Sequence, residues 1–247
     1  MDARLQLGIL AQPDEFTCGP TCLHAVYNYY GDTYSLEEVI DATPRLENGG
    51  TLAVMLAGQA LQRGYDAKIY TFNLQMFDPT WFDVPGTDLA DKLRAQAKNK
   101  SGKRFHVATQ AYLKYLDAGG RLGLQDLTPS LIRRYLKRGV PILTGLSSTY
   151  LYRTAREWGP NDDFDDVRGE PQGHFVVLCG YDKEDREVLV ADPQDPNPVS
   201  DTQFYKVNMD RLICSILLGV LTYDANLLVL QPKDGDRSPS HASAHYR

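Results

Sequence analysis

The order of two hydrophobic patterns along the chain limits its fold more strongly than any other feature. In the first quarter, apolar residues recur at helical spacing, first from Cys18 to about Tyr30 and then in two further segments that end at Gly64. Later apolar segments are short and strand-like, and they read VPILTGL, GHFVVLCGY, EVLVADP, FYKV and NLLVLQP. Helices followed by such strands predict an α+β fold, in which an N-terminal helical lobe packs on an antiparallel β-sheet.

Local signals mark several helix boundaries. Ser35 and Glu38 have the spacing of a capping box, and Thr128 followed by Pro129 is typical of a helix start. Helical patterns also occur near residues 88–97 and 108–116. These signals predict helices in both halves of the chain.

The patterns predict a single domain over residues 1–232, with a helical lobe at about 14–64 and a mainly β lobe at about 120–231. The segment 233–247 contains almost no large aliphatic residues, and we expect a disordered tail there. A cleft between the two lobes is the natural place for chemistry.

Composition argues against several classes of partner. The formal net charge of −6 makes nucleic acid or an anionic membrane an improbable main partner, because both need a concentrated basic surface. No apolar segment reaches the roughly 18 residues that span a bilayer. The N-terminus also lacks the apolar stretch of a secretory signal. We therefore expect a cytoplasmic protein without a membrane span, whose thiols stay reduced.

Cys18 has the surroundings of a nucleophile. It opens the first predicted helix, capped by Thr17 or Asp14, and the positive end of a helix favours thiolate over thiol. Gly19 is expected to leave the approach to the sulfur open. Cys22 lies one turn later and is predicted to be core. The spacing of the four cysteines fits neither a zinc site nor a disulfide framework, so we expect no metal or cofactor. An isolated thiol is more often structural, so a catalytic role for Cys18 requires a base close to it.

His174 is the best candidate for that base, because it opens the predicted strand GHFVVLCGY. The remaining histidines lie on another face of the first helix, in a segment without an arranged carboxylate, or in the predicted tail (His24, His106, His241 and His245). A hairpin turn at Asp182–Asp185, centred on Lys183, would place Asp192 opposite His174 on the same face. Asp192 could then orient the imidazole. A slip of one residue would turn Asp192 away. Asp195 and Asn197 are the reserve candidates for this role.

Gln12 is a candidate for stabilising negative charge. Its side-chain NH₂ and the backbone N–H of Cys18 could both donate to the oxygen that becomes negative when a thiolate attacks a carbonyl. Pro13 restrains the backbone of Gln12. Taken alone, a loop glutamine is most often a solvent-facing residue.

Three segments together resemble a known family. QPDEFTCGPTCL, GHFVVLCGYD and VLVADP resemble the papain-like cysteine peptidases of the bacteriocin-leader-processing type, which cut after double-glycine leaders, and their stand-alone C39-like relatives. The resemblance implies a papain-like fold with the active site in the cleft between the lobes. It also implies Cys18 as nucleophile, His174 as general acid/base, Asp192 as orienter and Gln12 as oxyanion donor. The expected function is a cysteine peptidase or amidase that acts on a peptide or protein substrate through a thioester.

Other functions use the same residues. An amine acceptor in place of water would make the protein an acyltransferase, and a chain that kept only the fold would be a non-catalytic peptide-binding module. A metal site at Cys18 and His174 is improbable because no further ligands stand at suitable spacing. The acidic loop 157–170 could favour basic peptides or be an ordinary solvated loop. The sequence leaves open the oligomeric state and the role of the region 73–127.

Overall fold

The computed structural model describes residues 2–47 and 49–233. The helices are α1 (Cys18–Tyr29), α2 (Leu36–Ala42), α3 (Ala53–Gln62), α4 (Thr80–Asp83), α5 (Leu89–Ala97), α6 (Lys103–Asp117), α7 (Pro129–Leu136), α8 (Ser148–Tyr152) and α9 (Met209–Leu218). The strands are β1 (Ala3–Arg4), β2 (Tyr65–Thr71), β3 (Arg121–Gly123), β4 (Ile142–Ser147), β5 (Glu157–Trp158), β6 (Asp163–Phe164), β7 (Gly173–Asp182), β8 (Glu187–Ala191), β9 (Phe204–Asn208) and β10 (Asn226–Pro232).

One mostly antiparallel sheet forms the centre of the described molecule. Its strands follow the order β3, β2, β10, β4, β7, β8 and β9, and β1 adds to β7 near the end of that strand. Only the pairing of β2 with β3 is parallel among the described strands. Strands β5 and β6 form a separate small hairpin. The predicted α+β class is therefore confirmed.

Helices cover both faces of this sheet. Val177 and Cys179 of β7 pack into one core with α1, α3 and α6, whereas Val176 and Leu178 pack into a second core with α7 and α9. Because successive side chains of a strand point to opposite faces, a strand covered on both sides contains a continuous apolar run. This burial explains the sequence GHFVVLCGY. The N-terminal helices thus form one of two helical layers.

The helix boundaries follow the local signals. Ser35 and Glu38 form the predicted capping box, with the Ser35 amide donating to the Glu38 carboxylate at 2.7 Å and the Glu38 amide donating to Ser35 Oγ at 3.2 Å. The Thr128 side chain caps α7. Helix α1 is followed by Gly31 at φ +83°, a backbone conformation that favours glycine. The predicted helices at about 88–97 and 108–116 correspond to α5 and to part of α6.

Some expectations are not tested by the described residues. Apart from Lys233, the predicted disordered tail lies outside them, as do His241 and His245. The assignment of residues 1–232 to one domain stays a prediction. Among the described helices, none is both long enough and apolar enough to cross a bilayer.

Candidate active site

Cys18 is the first residue of α1 and is nearly buried, with 9% of its surface exposed. Thr17 occupies the N-cap position, but its hydroxyl donates to the Asp14 carbonyl oxygen at 3.1 Å and does not cap the helix. The expected side-chain cap is therefore wrong. The first-turn amides of a helix have no intrahelical acceptor, so the positive end of α1 faces the thiol of Cys18.

Gly19 serves close packing, and the expectation that it opens the approach to the sulfur is wrong. A Cβ at Gly19 would lie 2.7 Å from Thr51 Cγ2 and 3.2 Å from Phe175 Cδ2. Cys22, which is fully buried as predicted, donates its S–H to the Phe175 carbonyl oxygen at 3.2 Å. Both contacts hold the start of α1 against β7 beside His174.

A β-bulge brings Asp192 to the same face as His174. Residues of β7 pair with residues of β8 that lie two to three positions later than predicted, since Asp182 pairs with Glu187 and not with Glu184. The register then shifts between Leu178 and Gly180, so that Ala191 pairs with Val177. Asp192, the next residue, falls level with Val176, two residues from His174. Without the bulge, Asp192 would point to the opposite face.

His174 and Asp192 form a buried pair. His174 Nε2 and Asp192 Oδ1 are 2.8 Å apart, and the two residues are 7% and 0% exposed. Burial alone would lower the pKa of His174, but the negative charges of Asp192 and Cys18 and hydrogen bonds with both residues raise it. Burial alone would raise the pKa of Asp192, but the charge of His174 and several hydrogen bonds lower it. Since Asp192 engages Nε2, the other ring nitrogen, Nδ1, is left free for Cys18, whose charge also raises the pKa of His174.

Three further groups donate to Asp192. Its Oδ2 accepts from the hydroxyls of Tyr152 at 2.8 Å and Tyr205 at 2.7 Å. Its Oδ1 accepts from the backbone N–H of Gln194 at 3.0 Å. Neither tyrosine was predicted from the sequence. The alternation of FYKV was a usable signal for Tyr205, because β9 pairs with β8 and sets Tyr205 opposite Val190, two residues from Asp192. Helix α8, which carries Tyr152, was not predicted.

Gln12 lies close to the chain that carries Asp192. Its backbone N–H donates to the Pro193 carbonyl oxygen at 2.8 Å, and its side-chain Nε2 donates to the Asp14 carbonyl oxygen at 3.0 Å. Its Oε1 is buried and has no hydrogen-bond partner in the described part of the chain. The side chain is thus held on the loop that leads to Cys18, with one N–H left to donate.

The other candidates are placed elsewhere. His24 is buried with Nε2 3.1 Å from the Tyr34 carbonyl oxygen, and burial lowers its pKa. His106 is exposed. In the part of the chain that the structure describes, neither Asp195 nor Asn197 forms a hydrogen bond with His174. Within residues 2–47 and 49–233, no group of three or more His, Cys, Asp or Glu side chains is arranged to hold a metal ion.

The acidic loop 157–170 folds into the β5–β6 hairpin ahead of His174. Asp165 forms an ion pair with Arg168 at 2.6 Å, and hydrogen bonds from Arg168 and Val167 lower the pKa of Asp165 to about 2. Burial raises the pKa of Glu157, and the charges of Asp162 and Glu15 raise it further.

A model of the peptidase C39-like family matches residues 4–210 of the 247. The chain belongs to this family. The resemblance found in the sequence is thereby confirmed, and membership of the C39-like family supports a cysteine peptidase-type function. It also agrees with the expected papain-like arrangement of helices on an antiparallel sheet.

Solved structures similar to this C39-like chain are distant from it. A double-glycine-motif protease from an AMS/PCAT transporter, in complex with a leader peptide, is 15% identical with a TM-score of 0.44, covering 93% of this chain and 94% of that one. The peptidase domain of Streptococcus ComA is 14% identical with a TM-score of 0.42, covering 92% and 99%. A Bacillus anthracis protein described as a C39-like peptidase is 12% identical with a TM-score of 0.49, covering 93% and 97%. None of the curated proteins matches the chain.

Proposed function

We propose that the protein is a cysteine peptidase or amidase that cleaves an amide bond of a peptide through a thioester on Cys18. One observation carries the proposal: Asp192 holds the buried imidazole of His174 through Nε2, and the charge of Cys18, at the start of α1, acts on the same imidazole and raises its pKa. A nucleophile needs a neighbouring base, and that base needs a group that fixes its orientation. Cys18, His174 and Asp192 supply these three groups.

The reaction begins when the thiolate of Cys18 attacks the carbonyl carbon of the substrate amide. The carbonyl oxygen becomes negative and accepts hydrogen bonds from the Cys18 amide and from the remaining N–H of Gln12 Nε2. The C–N bond then breaks as His174 gives its proton to the leaving amine, and the acyl group stays on sulfur as a thioester.

Water completes the cycle. His174, now neutral, takes a proton from water as the water oxygen attacks the thioester carbonyl. The C–S bond breaks, a carboxylic acid leaves, and the thiolate of Cys18 is restored beside protonated His174. A cytoplasmic location belongs to the same proposal, because a reducing compartment keeps Cys18 as a thiol.

The test is to incubate the protein with a library of short peptides that includes double-glycine sequences, and to identify products by mass. We expect cleavage by the wild type, loss of cleavage in Cys18→Ala, and retained cleavage in Cys214→Ala, which removes an exposed thiol. Acid quenching should trap an acyl adduct on Cys18. If an added amine is acylated in preference to water, the protein is an acyltransferase. Peptide binding without products or adduct would instead indicate a non-catalytic module.

A further inference from the structure

The carboxylate of Asp192 is surrounded by donors on both oxygens. His174 Nε2 and the Gln194 amide occupy Oδ1, and the hydroxyls of Tyr152 and Tyr205 occupy Oδ2. Asp192 is completely buried. The two tyrosines come from α8 and β9, which are separate elements of the fold. A carboxylate held in this way cannot rotate without breaking buried hydrogen bonds.

We propose that Tyr152 and Tyr205 are positioning residues that keep Asp192 ionised and oriented, and through it keep His174 protonated with Nδ1 directed at Cys18. This inference rests on the proposed function for its catalytic consequence. Its structural content, a carboxylate fixed by two hydroxyls, can be tested by the chemistry of the thiol alone.

The chemical type of the two donors matters. A buried carboxylate without donors favours its neutral form, so it would lose the charge that stabilises the imidazolium. An arginine or lysine in the same position would also keep Asp192 ionised, but its positive charge would compete with His174 for the carboxylate. Neutral hydroxyls stabilise the carboxylate and leave its whole charge available to His174.

Both hydroxyls remain donors over the working pH range. Burial and the charge of Asp192 raise the pKa values of Tyr152 and Tyr205 far above the ordinary tyrosine value. Tyr152 has a second contact, because its ring centroid lies 6.2 Å from that of His174. Tyr205 is therefore the cleaner position for a test, because its ring makes no stacking contact with His174 in the described part of the chain and its hydroxyl acts on the imidazole through Asp192.

The experiment compares Tyr205→Phe with Tyr29→Phe. Tyr29 is a matched control, because the residue is buried and its hydroxyl donates to the Gly139 carbonyl oxygen at 2.7 Å and not to Asp192. The first readout is the rate at which iodoacetamide alkylates Cys18 as a function of pH. Tyr205→Phe removes one of the hydrogen bonds that lower the pKa of Asp192, so the acidic limb of this rate should move to higher pH by about one unit. Tyr29→Phe should leave the limb in place.

The second readout is a double-mutant cycle on the cleaved peptide. Tyr205→Phe should reduce kcat/KM by about 10- to 100-fold, mainly in kcat, as expected for a hydrogen bond to a charged group. In an Asp192→Ala background, where the Tyr205 hydroxyl has no side-chain partner at residue 192, the same substitution should change kcat/KM by less than about twofold. A loss of equal size in both backgrounds, or an acidic limb that stays with the control, would overturn the inference. If the wild type cleaves no peptide, the proposed function fails, while the alkylation profile still decides the role of Tyr205.

Discussion

Replacing Asp192 by Asn and by Ala separates the charge of this residue from its role as an acceptor. In Asp192→Asn, Oδ1 can still accept from His174 and the Gln194 amide, and the new NH₂ can donate to the Tyr152 and Tyr205 hydroxyls, which also accept. The arrangement keeps its shape but loses its negative charge. In Asp192→Ala, all four donors lose their acceptor.

The cost of losing the charge depends on pH. The pKa of His174 is raised, so its stabilisation is complete below the ordinary histidine value of about 6.5 and disappears as pH rises through the raised value. The pKa of Asp192 is lowered, so its stabilisation is complete above the ordinary value of about 3.9 and disappears as pH falls through the lowered one. The pair therefore stabilises the fold most between about pH 4 and 6.5.

Breaking a buried ion pair by removing one partner costs about 3–5 kcal/mol. We expect Asp192→Asn to lower the free energy of unfolding by about this amount at pH 5.5. Near pH 10 the pH has reached the raised pKa of His174, most of the stabilisation by the charged pair is lost, and the cost should fall to about 1 kcal/mol. Asp192→Ala should still cost roughly 3 kcal/mol near pH 10, because the hydroxyls and the Gln194 amide stay unpaired at any pH. Urea unfolding followed by circular dichroism at the two pH values measures both differences. An Asp192→Asn effect of the same size at both pH values would refute the charged pair.

Two further predictions concern the packing around the site. Asp224 is buried, accepts a hydrogen bond from the Ala53 amide at 3.0 Å, and has a pKa raised by burial to about 7. A carboxyl group with a raised pKa disfavours the fold as pH rises. The free energy of unfolding of Asp224→Asn relative to wild type should therefore increase by roughly 4 kcal/mol from pH 4 to pH 8. A difference in urea unfolding that stays constant over this range would contradict the prediction. Gly19→Ala places a methyl group 2.7 Å from Thr51 Cγ2 and should cost about 1–3 kcal/mol and slow the alkylation of Cys18. The control is Gly58→Ala, inside α3, where no atom lies within 4 Å of the new Cβ. This substitution should raise the melting temperature through a gain in stability of about 0.5–1 kcal/mol. Equal losses of stability in both variants would argue against the packing role of Gly19.

Local signals predicted much of the fold, because they depend on neighbours in sequence. The capping box of Ser35 and Glu38, the cap at Thr128 and the apolar periodicity of α1 all act within a few residues, and all appear where expected. The helical layer of α7 and α9 over the second sheet face was not recognised, because a strand buried on both faces contains no alternation that tells which helices cover it.

The site was predictable in residue identity and less so in geometry. The proximity of His174 and Asp192 was expected from the hairpin, but the predicted register was wrong, and the bulge near Cys179 restores the shared face. Gly180 lies at the register shift, and an isolated glycine inside a strand is a local sign of a bulge, but the predicted register did not include one. Tyr152 could not be found because it reaches Asp192 from α8, forty residues earlier in the chain.

The central claim is that His174 activates the thiol of Cys18, and competition between thiols for a limiting amount of iodoacetamide at pH 6 tests it directly. Cys214 is exposed and serves as an internal reference, whereas Cys18 is only 9% exposed. The account predicts that peptide mapping finds the label first on Cys18, and that this preference disappears in His174→Gln, whose amide can still donate to Asp192. Labelling of Cys214 ahead of Cys18 in the wild type, or a preference for Cys18 that survives in His174→Gln, would contradict the account.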